Sequence, residues 1–254
     1  MTVFAGQGSV AALWRAKEET KPKPGPKPRL SVGLIVDTAI TVADEAGMAA
    51  LSMRAVGERL GRTAMALYTY VPNKSELLDL MHDRALAELP TDYDLDEGWR
   101  AALTAWAGDT CAFYVRHPWT LQVSQARPVL GPHEFAMLDT LARVLAATGL
   151  GPRVLRGVVA ALFDVVRGAA RTISEARRAP SETGVADEEW WTARSSLLLE
   201  VAPDFAERFP MAVWLESEPI SPVAGEPYLE AAARQAFQSG LAVLLDGIEA
   251  ATRA

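Results

Sequence analysis

Apolar residues recur every three or four positions along most of this chain, and no convincing strand run interrupts that rhythm. From Leu34 to Ala46 the apolar positions Ile35, Ala39, Val42 and Ala46 share one helical face, and Gly47 follows as a terminating glycine. Ser52 is placed to cap a second helix, Met53 to Leu60, with Val56 and Leu60 on its inner face. Gly61 breaks the chain, Thr63 can cap a short helix to about Thr69, and Pro72-Asn73 makes a turn. Lys74 to Leu89 then carries a stripe of Leu77, Leu78, Leu80, Met81 and Ala85. Beyond Pro90 the spacing predicts helices over 97–116, 133–148, 152–178, 187–200, 203–215 and 228–251. Pro118, Gly131-Pro132, the run from Gly149 to Pro152, Pro180, Pro203 and the run from Pro219 to Pro227 separate them. The fold class expected is all-α, with a module of short helices followed by longer ones.

The densest information lies between Leu51 and Lys74, LSMRAVGERLGRTAMALYTYVPNK. A helix-turn-helix needs a small residue where its two helices meet. Four residues later it needs a turn residue tolerant of positive φ, and six beyond that an aliphatic lock. Gly57, Gly61 and Leu67 stand at those spacings. Such a unit lays its second helix in the major groove of DNA.

The wider run from Leu30 to Leu89 resembles the DNA-binding domain of the tetracycline-repressor family. The matching pieces are AxxxADEAG, LSMRAVGERLG and ALYTYVPNKSELLDLM. The resemblance implies a DNA-binding domain and connecting helix over 30–89 and an all-helical ligand-binding and dimerisation domain over 90–254; the residues before them, 1–29, read by composition as a flexible basic extension. It places Ala64, Met65 and Ala66 against base edges, with Thr63 as a cap that also contacts DNA. Alanine and methionine bring no hydrogen-bond donors, so their readout is apolar, as with thymine methyls. Arg54 is then the best charged candidate for the groove. Tyr68, Thr69, Tyr70 and Lys74 fall on positions that grip the phosphate backbone. Arg62 departs from the family, which favours an aliphatic after the turn glycine; its side chain is expected to point outward.

Charge sharpens this picture modestly. The chain carries 25 Lys/Arg and 32 Asp/Glu, a net charge of -7. That sum alone argues against a nucleic-acid binder, but the distribution is uneven. Every lysine lies at or before Lys74, and the acidic excess lies after Pro90. Lys21 to Arg29, KPKPGPKPR, has too many prolines for helix or inner strand and reads as an extended cationic arm. An arm touching phosphate or the minor groove and a linker that only keeps the chain soluble fit it equally.

The resemblance also implies that the C-terminal helices pair two subunits and enclose a small-molecule inducer. One short recognition helix covers one half-site, so a homodimer on a palindromic double-stranded operator is expected. The widest apolar faces are Val154 to Val166 on helix 152–178 and Leu229 to Leu245 on helix 228–251; burial within one subunit is the alternative. Residues 179–227, too long for a plain connection, suit an extra helix or two, or a disordered stretch. The candidate pocket lining is Trp106, Phe113, Tyr114, Trp119, Phe135, Met137, Phe163 and Trp190, with Asp164 and Arg167 as polar anchors. Aromatics at this spacing equally suit a plain core. If they line a pocket, its occupant is bulky and mostly apolar.

Other classes find less support. The chain has no P-loop, no GxGxxG after a strand, no GxSxG and no HExxH, and its three histidines are scattered, so no enzyme, cofactor or metal is expected. No apolar run reaches membrane-spanning length, and the single cysteine, Cys111, allows no internal disulfide, so a cytoplasmic protein with no membrane partner is the default. An activator or a ligand-independent regulator of the same fold stays open, as does a helical adaptor that never touches DNA.

Overall fold

The structure, a computed structural model, describes residues 7–16, 30–124, 126–218 and 227–253. All regular elements among them are helices. They form two compact units, one ending at Val159 and one starting at Ala160.

In the first unit, α2 (Val32–Ala50), α3 (Met53–Leu60), α4 (Ala64–Tyr68) and α5 (Lys74–Leu86) make a small head. Each begins at a polar side chain that accepts a first-turn amide: Ser31 from Leu34, Ser52 from Ala55, Thr63 from Ala66 and Asn73 from Glu76. Such caps contribute about 1 kcal/mol each. Gly47, at φ 74°, breaks helical geometry near the end of α2, where the sequence places a terminating glycine. Ile35, Ala39, Val56, Leu67, Val71, Leu77 and Met81 are fully enclosed.

The same unit contains α6 (Trp99–Arg116), a 3-10 turn (Pro118–Gln122) and α7 (Pro132–Ala146). Asp83 of α5, itself buried, fastens α5 to α7. One of its oxygens accepts the His133 and Glu134 amides at 2.9 and 3.1 Å, and the other meets His133 Nδ1 at 2.8 Å. A carboxylate at a helix N-terminus also faces the positive end of the helix dipole. Only glycine fits at 131, because a Cβ there would lie 2.1 Å from Asp83 Oδ1.

The extension expected over 1–29 is corrected in part. Residues Gln7–Ala16 form a helix, α1, packed on α5. Leu13 is buried, Trp14 Nε1 donates to the Leu130 carbonyl at 3.0 Å, and the Trp14 ring lies 6.3 Å from that of Phe135. A short apolar face thus finds a seat on distant residues, which outweighs the small intrinsic helicity of so short a segment. The Lys/Pro stretch from Lys21 to Arg29 lies outside the described residues.

The second unit takes over within α8 (Pro152–Thr183) and continues through α9 (Asp187–Val201), α10 (Phe205–Arg208), α11 (Pro210–Leu215) and α12 (Tyr228–Thr252). Helix α8 does not stop at 178. Pro180 sits in its last turns, where the missing amide removes one hydrogen bond and little helix remains to disrupt. Arg177 of α8 grips both oxygens of the buried Glu230 of α12, at 2.8 and 2.6 Å, and Arg234 adds a contact at 2.7 Å. These bonds, that of Arg177 first, hold the Glu230 carboxyl down at about 2.

Candidate nucleic-acid interface

The joint between α3 and α4 is closed by glycines. A Cβ on Gly57 would lie 2.7 Å from the Arg62 carbonyl oxygen and 3.1 Å from Leu67 Cδ1, so no larger residue fits between the helices. Gly61 adopts the left-handed conformation at φ 64°. Its amide reaches the Glu58 carbonyl at 3.2 Å, while the Arg62 amide reaches the Gly57 carbonyl at 2.8 Å. These two bonds form a Schellman turn. Leu67 is fully buried and locks α4 to the head, and Arg62 points its side chain into solvent.

With Leu67 inward, Met65 and Tyr68 of α4 face out. Met65 is 75% exposed, and Tyr68, Thr69, Tyr70 and Thr63 are also exposed. Ala64 and Ala66 are half-buried flanks of the same short helix. An uncovered methionine beside two exposed tyrosines is a surface suited to base methyls and phosphate oxygens. The structure thus brings the residues from Thr63 to Tyr70 onto one exposed helix and its end.

The charged candidates are already engaged. Arg54 is largely exposed and pairs with Glu58 Oε1 at 2.8 Å, one helical turn on. Lys74 Nζ donates to the Leu51 carbonyl at 2.8 Å, tying the start of α5 to the residue before the α3 cap. An ammonium carries three hydrogens, so this tie leaves two for phosphate. Arg59 makes a two-pronged contact to Glu45 at 2.6 and 2.9 Å, clamping α3 to α2 and holding the Glu45 carboxyl below its ordinary value.

A second cluster escaped the sequence reading. His117, just beyond α6, is buried with Nδ1 2.8 Å from Asp44 of α2 and Nε2 3.2 Å from Glu88, which follows α5. Trp119 Nε1 donates to the same Asp44 oxygen at 2.8 Å, and Arg116 approaches Glu88 at 3.2 Å. The imidazole donates at both nitrogens only when doubly protonated. This cluster links the head to α6 across 73 residues of chain, and no local motif marks it.

The candidate ligand residues divide between the units. Trp106, Phe113, Tyr114 and Trp119 are buried in the first, with Phe113 edge-on to Tyr114 at 5.4 Å. Phe135 lies beside Trp14, and Met137 is half-buried. In the second unit Phe163, Arg167 and Trp190 are half-buried and Asp164 is exposed. Trp190 stacks on Trp191 and carries Arg194 over its ring at 5.0 Å. Among the described residues no group of His, Cys, Asp and Glu is arranged to hold a metal, and no helix is long and apolar enough to cross a membrane.

Residues 35–81 match the family described as bacterial regulatory proteins, tetR family, and residues 92–252 match the tetracyclin repressor-like C-terminal domain. The HTH-type transcriptional repressor DrrR1 of Streptomyces coeruleorubidus is 37% identical over 251 residues, spanning 98% of this chain and 88% of that relative. Two solved structures share the fold. ActR from Streptomyces coelicolor in complex with actinorhodin has a TM-score of 0.68 at 23% identity, covering 89% of this chain and 99% of that one. BioQ with its double-stranded DNA operator has a TM-score of 0.55 at 18% identity, covering 87% and 99%.

Proposed function

The chain belongs to the tetracycline-repressor family of DNA-binding transcriptional regulators, and on that premise we infer that it is a repressor released from its operator by a small, largely apolar molecule. The observation that carries the reading is the outward face of α4, with Met65, Tyr68 and Tyr70 in solvent on a joint closed by Gly57 and Gly61. The repressor name of DrrR1, the actinorhodin bound to ActR and the operator bound to BioQ support it. The family consists of regulators rather than enzymes, and the mechanism uses no cofactor.

Met65, with Ala64 and Ala66, lies against base edges, and Arg54 enters the groove by exchanging Glu58 for DNA. Thr63, Tyr68, Thr69, Tyr70 and Lys74 hold phosphates and set register. Residues 30–89 read DNA, and residues 90–254 pair subunits and bind the effector. Two copies place two recognition helices on a palindromic operator in the cytoplasm. Exposed Leu197, Leu199, Val201, Met211, Trp214 and Leu215 supply apolar surface for that pairing. Trp106, Phe113, Tyr114, Trp119, Phe135, Met137, Phe163, Asp164, Arg167 and Trp190 are the effector candidates. The effector favours the conformation whose recognition helices are wrongly spaced for DNA. Helix α5, tied to Leu51 by Lys74 and to α7 by Asp83, is the lever.

A gel shift with DNA from upstream of the protein's own gene tests this directly. A shift that candidate apolar compounds reverse is expected, and absence of any shift at micromolar protein overturns it. Replacing Tyr68 and Lys74 by alanine should abolish the shift while leaving effector affinity intact; equal loss of both would refute the division between head and effector domain.

A further inference from the structure

The second unit holds a cavity of about 530 Å³ that none of the roles above uses. It opens where Pro180 of α8, the first turns of α9 and the start of α12 come together. Its size suits a small organic molecule. Pro180, Pro227 and Ala231 give apolar walls, and Trp191 and Tyr228 add aromatic rings. Trp190 stacks on Trp191 at 5.6 Å and within 6° of parallel, which holds the indole plane in place.

Asp187 decides what the cavity takes. It lines the wall, is only 8% exposed, and its Oδ2 is buried with no hydrogen-bond partner among the described residues. Glu230 makes the contrast, since both of its oxygens are held by arginines. The start of α9 stabilises the charge of Asp187 through the helix dipole but gives Oδ2 no hydrogen. A buried carboxylate oxygen without a donor is costly, and a guest that brings one removes the cost. Glu188 lines the same cavity, so two acids repel anions. Aromatic faces beside carboxylates favour a cationic, flat guest.

We propose that this cavity binds an amine-bearing aromatic cation, with an N–H of the cation donating to Asp187 Oδ2 and its rings against Trp191 and Tyr228. Binding here is independent of the operator reading, and the experiment is done on the full chain without DNA. The probes are 9-aminoacridine, a planar cation at neutral pH, and acridine-9-carboxylate, an anion on the same rings. Fluorescence titration should give saturable binding of the amine and affinity at least about tenfold lower for the carboxylate. Asp187→Asn should weaken the amine about tenfold and narrow the gap between the probes, with Glu188 still in place. Trp191→Ala should weaken it too, and Trp191→Phe should restore it. Helicity by circular dichroism checks that each variant folds, and the comparison of the two probes on the unaltered chain needs no variant. Equal affinity for both probes, no saturable binding of the amine, or an Asp187→Asn chain that is folded and binds it undiminished would overturn the proposal.

Discussion

In the reading head, helices as short as α4 bury their apolar side chains against one another; between Asp187 and Leu215 the helices leave theirs in solvent. Leu67, Val56 and Val71 are fully enclosed, whereas Leu199, Val201 and Leu215 are each about two-thirds or more exposed. The head achieves this with a clean helical period, side-chain caps and two glycines at the one tight joint. The later stretch has apolar runs, Leu197 to Leu199 and Val213 to Leu215, that no single helical face can hide. Helix α4 buries Leu67 and exposes a single large aliphatic side chain, Met65, between two alanines. The later stretch shows a cluster, and clusters mark surfaces that another surface completes. The head is therefore finished by its own sequence, whereas the region 187–215 leaves apolar side chains uncovered.

The sharpest way to break this contrast is Gly57→Val. Its side chain would overlap the Arg62 carbonyl and Leu67, at a cost of about 3 kcal/mol or more, with loss of operator binding. Urea melts and gel shifts read both effects. Next comes Glu230→Gln, which removes the charge that Arg177 and Arg234 enclose. The arginines are nearly half exposed, so the loss is about 1–2 kcal/mol rather than that of a fully buried pair. The pH dependence has a definite sign. Glu230 is held at about 2 against an ordinary 4.5, so its contribution is full above about 4.5 and disappears as pH falls toward 2. Melts across that window should show a shallower acid decline in the variant. A smaller effect on folding, within about 0.5 kcal/mol, is expected from Trp214→Asp with Leu215→Asp, because neither side chain is covered. Sedimentation should nonetheless show weakened self-association, and an unchanged dimer would place the pairing surface elsewhere. Smallest is Met65→Ala, which should leave stability unchanged and cost about 1 kcal/mol of operator affinity, several-fold by titration.

Legibility followed sequence separation. Gly57, Gly61 and Leu67 act on neighbours within ten residues, so their spacing within a family-like run disclosed the joint, and Ser52 and Thr63 cap as their positions indicated, whereas Asn73, read as part of a turn, also caps α5. The seat of α1 lies 116 residues from Trp14, and nothing near Trp14 announces it. The tie from Lys74 to Leu51 was hidden because a lysine at a helix start reads as solvated or phosphate-bound. Gly131-Pro132 was visible as a turn, but its role in admitting Asp83 depends on a side chain 48 positions earlier. The aromatic set shows the limit most plainly. Helical spacing places Trp106, Phe113 and Trp119 on inner faces, yet the same spacing serves a solid core and a ligand lining; all three are buried, Trp119 with Asp44 and Phe113 with His117 as partners.

The clasp made by Trp14 bears on how the gene is handled. A reading frame restarted just upstream of Val32 would still encode every helix of the head, and such a product would look intact by motif. It would lack the helix that lies on α5, leaving the Leu130 carbonyl without its indole donor and the Phe135 ring without its neighbour. The shortened polypeptide would uncover the part of α5 on which α1 packs, and lower solubility on overexpression, rather than altered sequence preference, is the expected symptom.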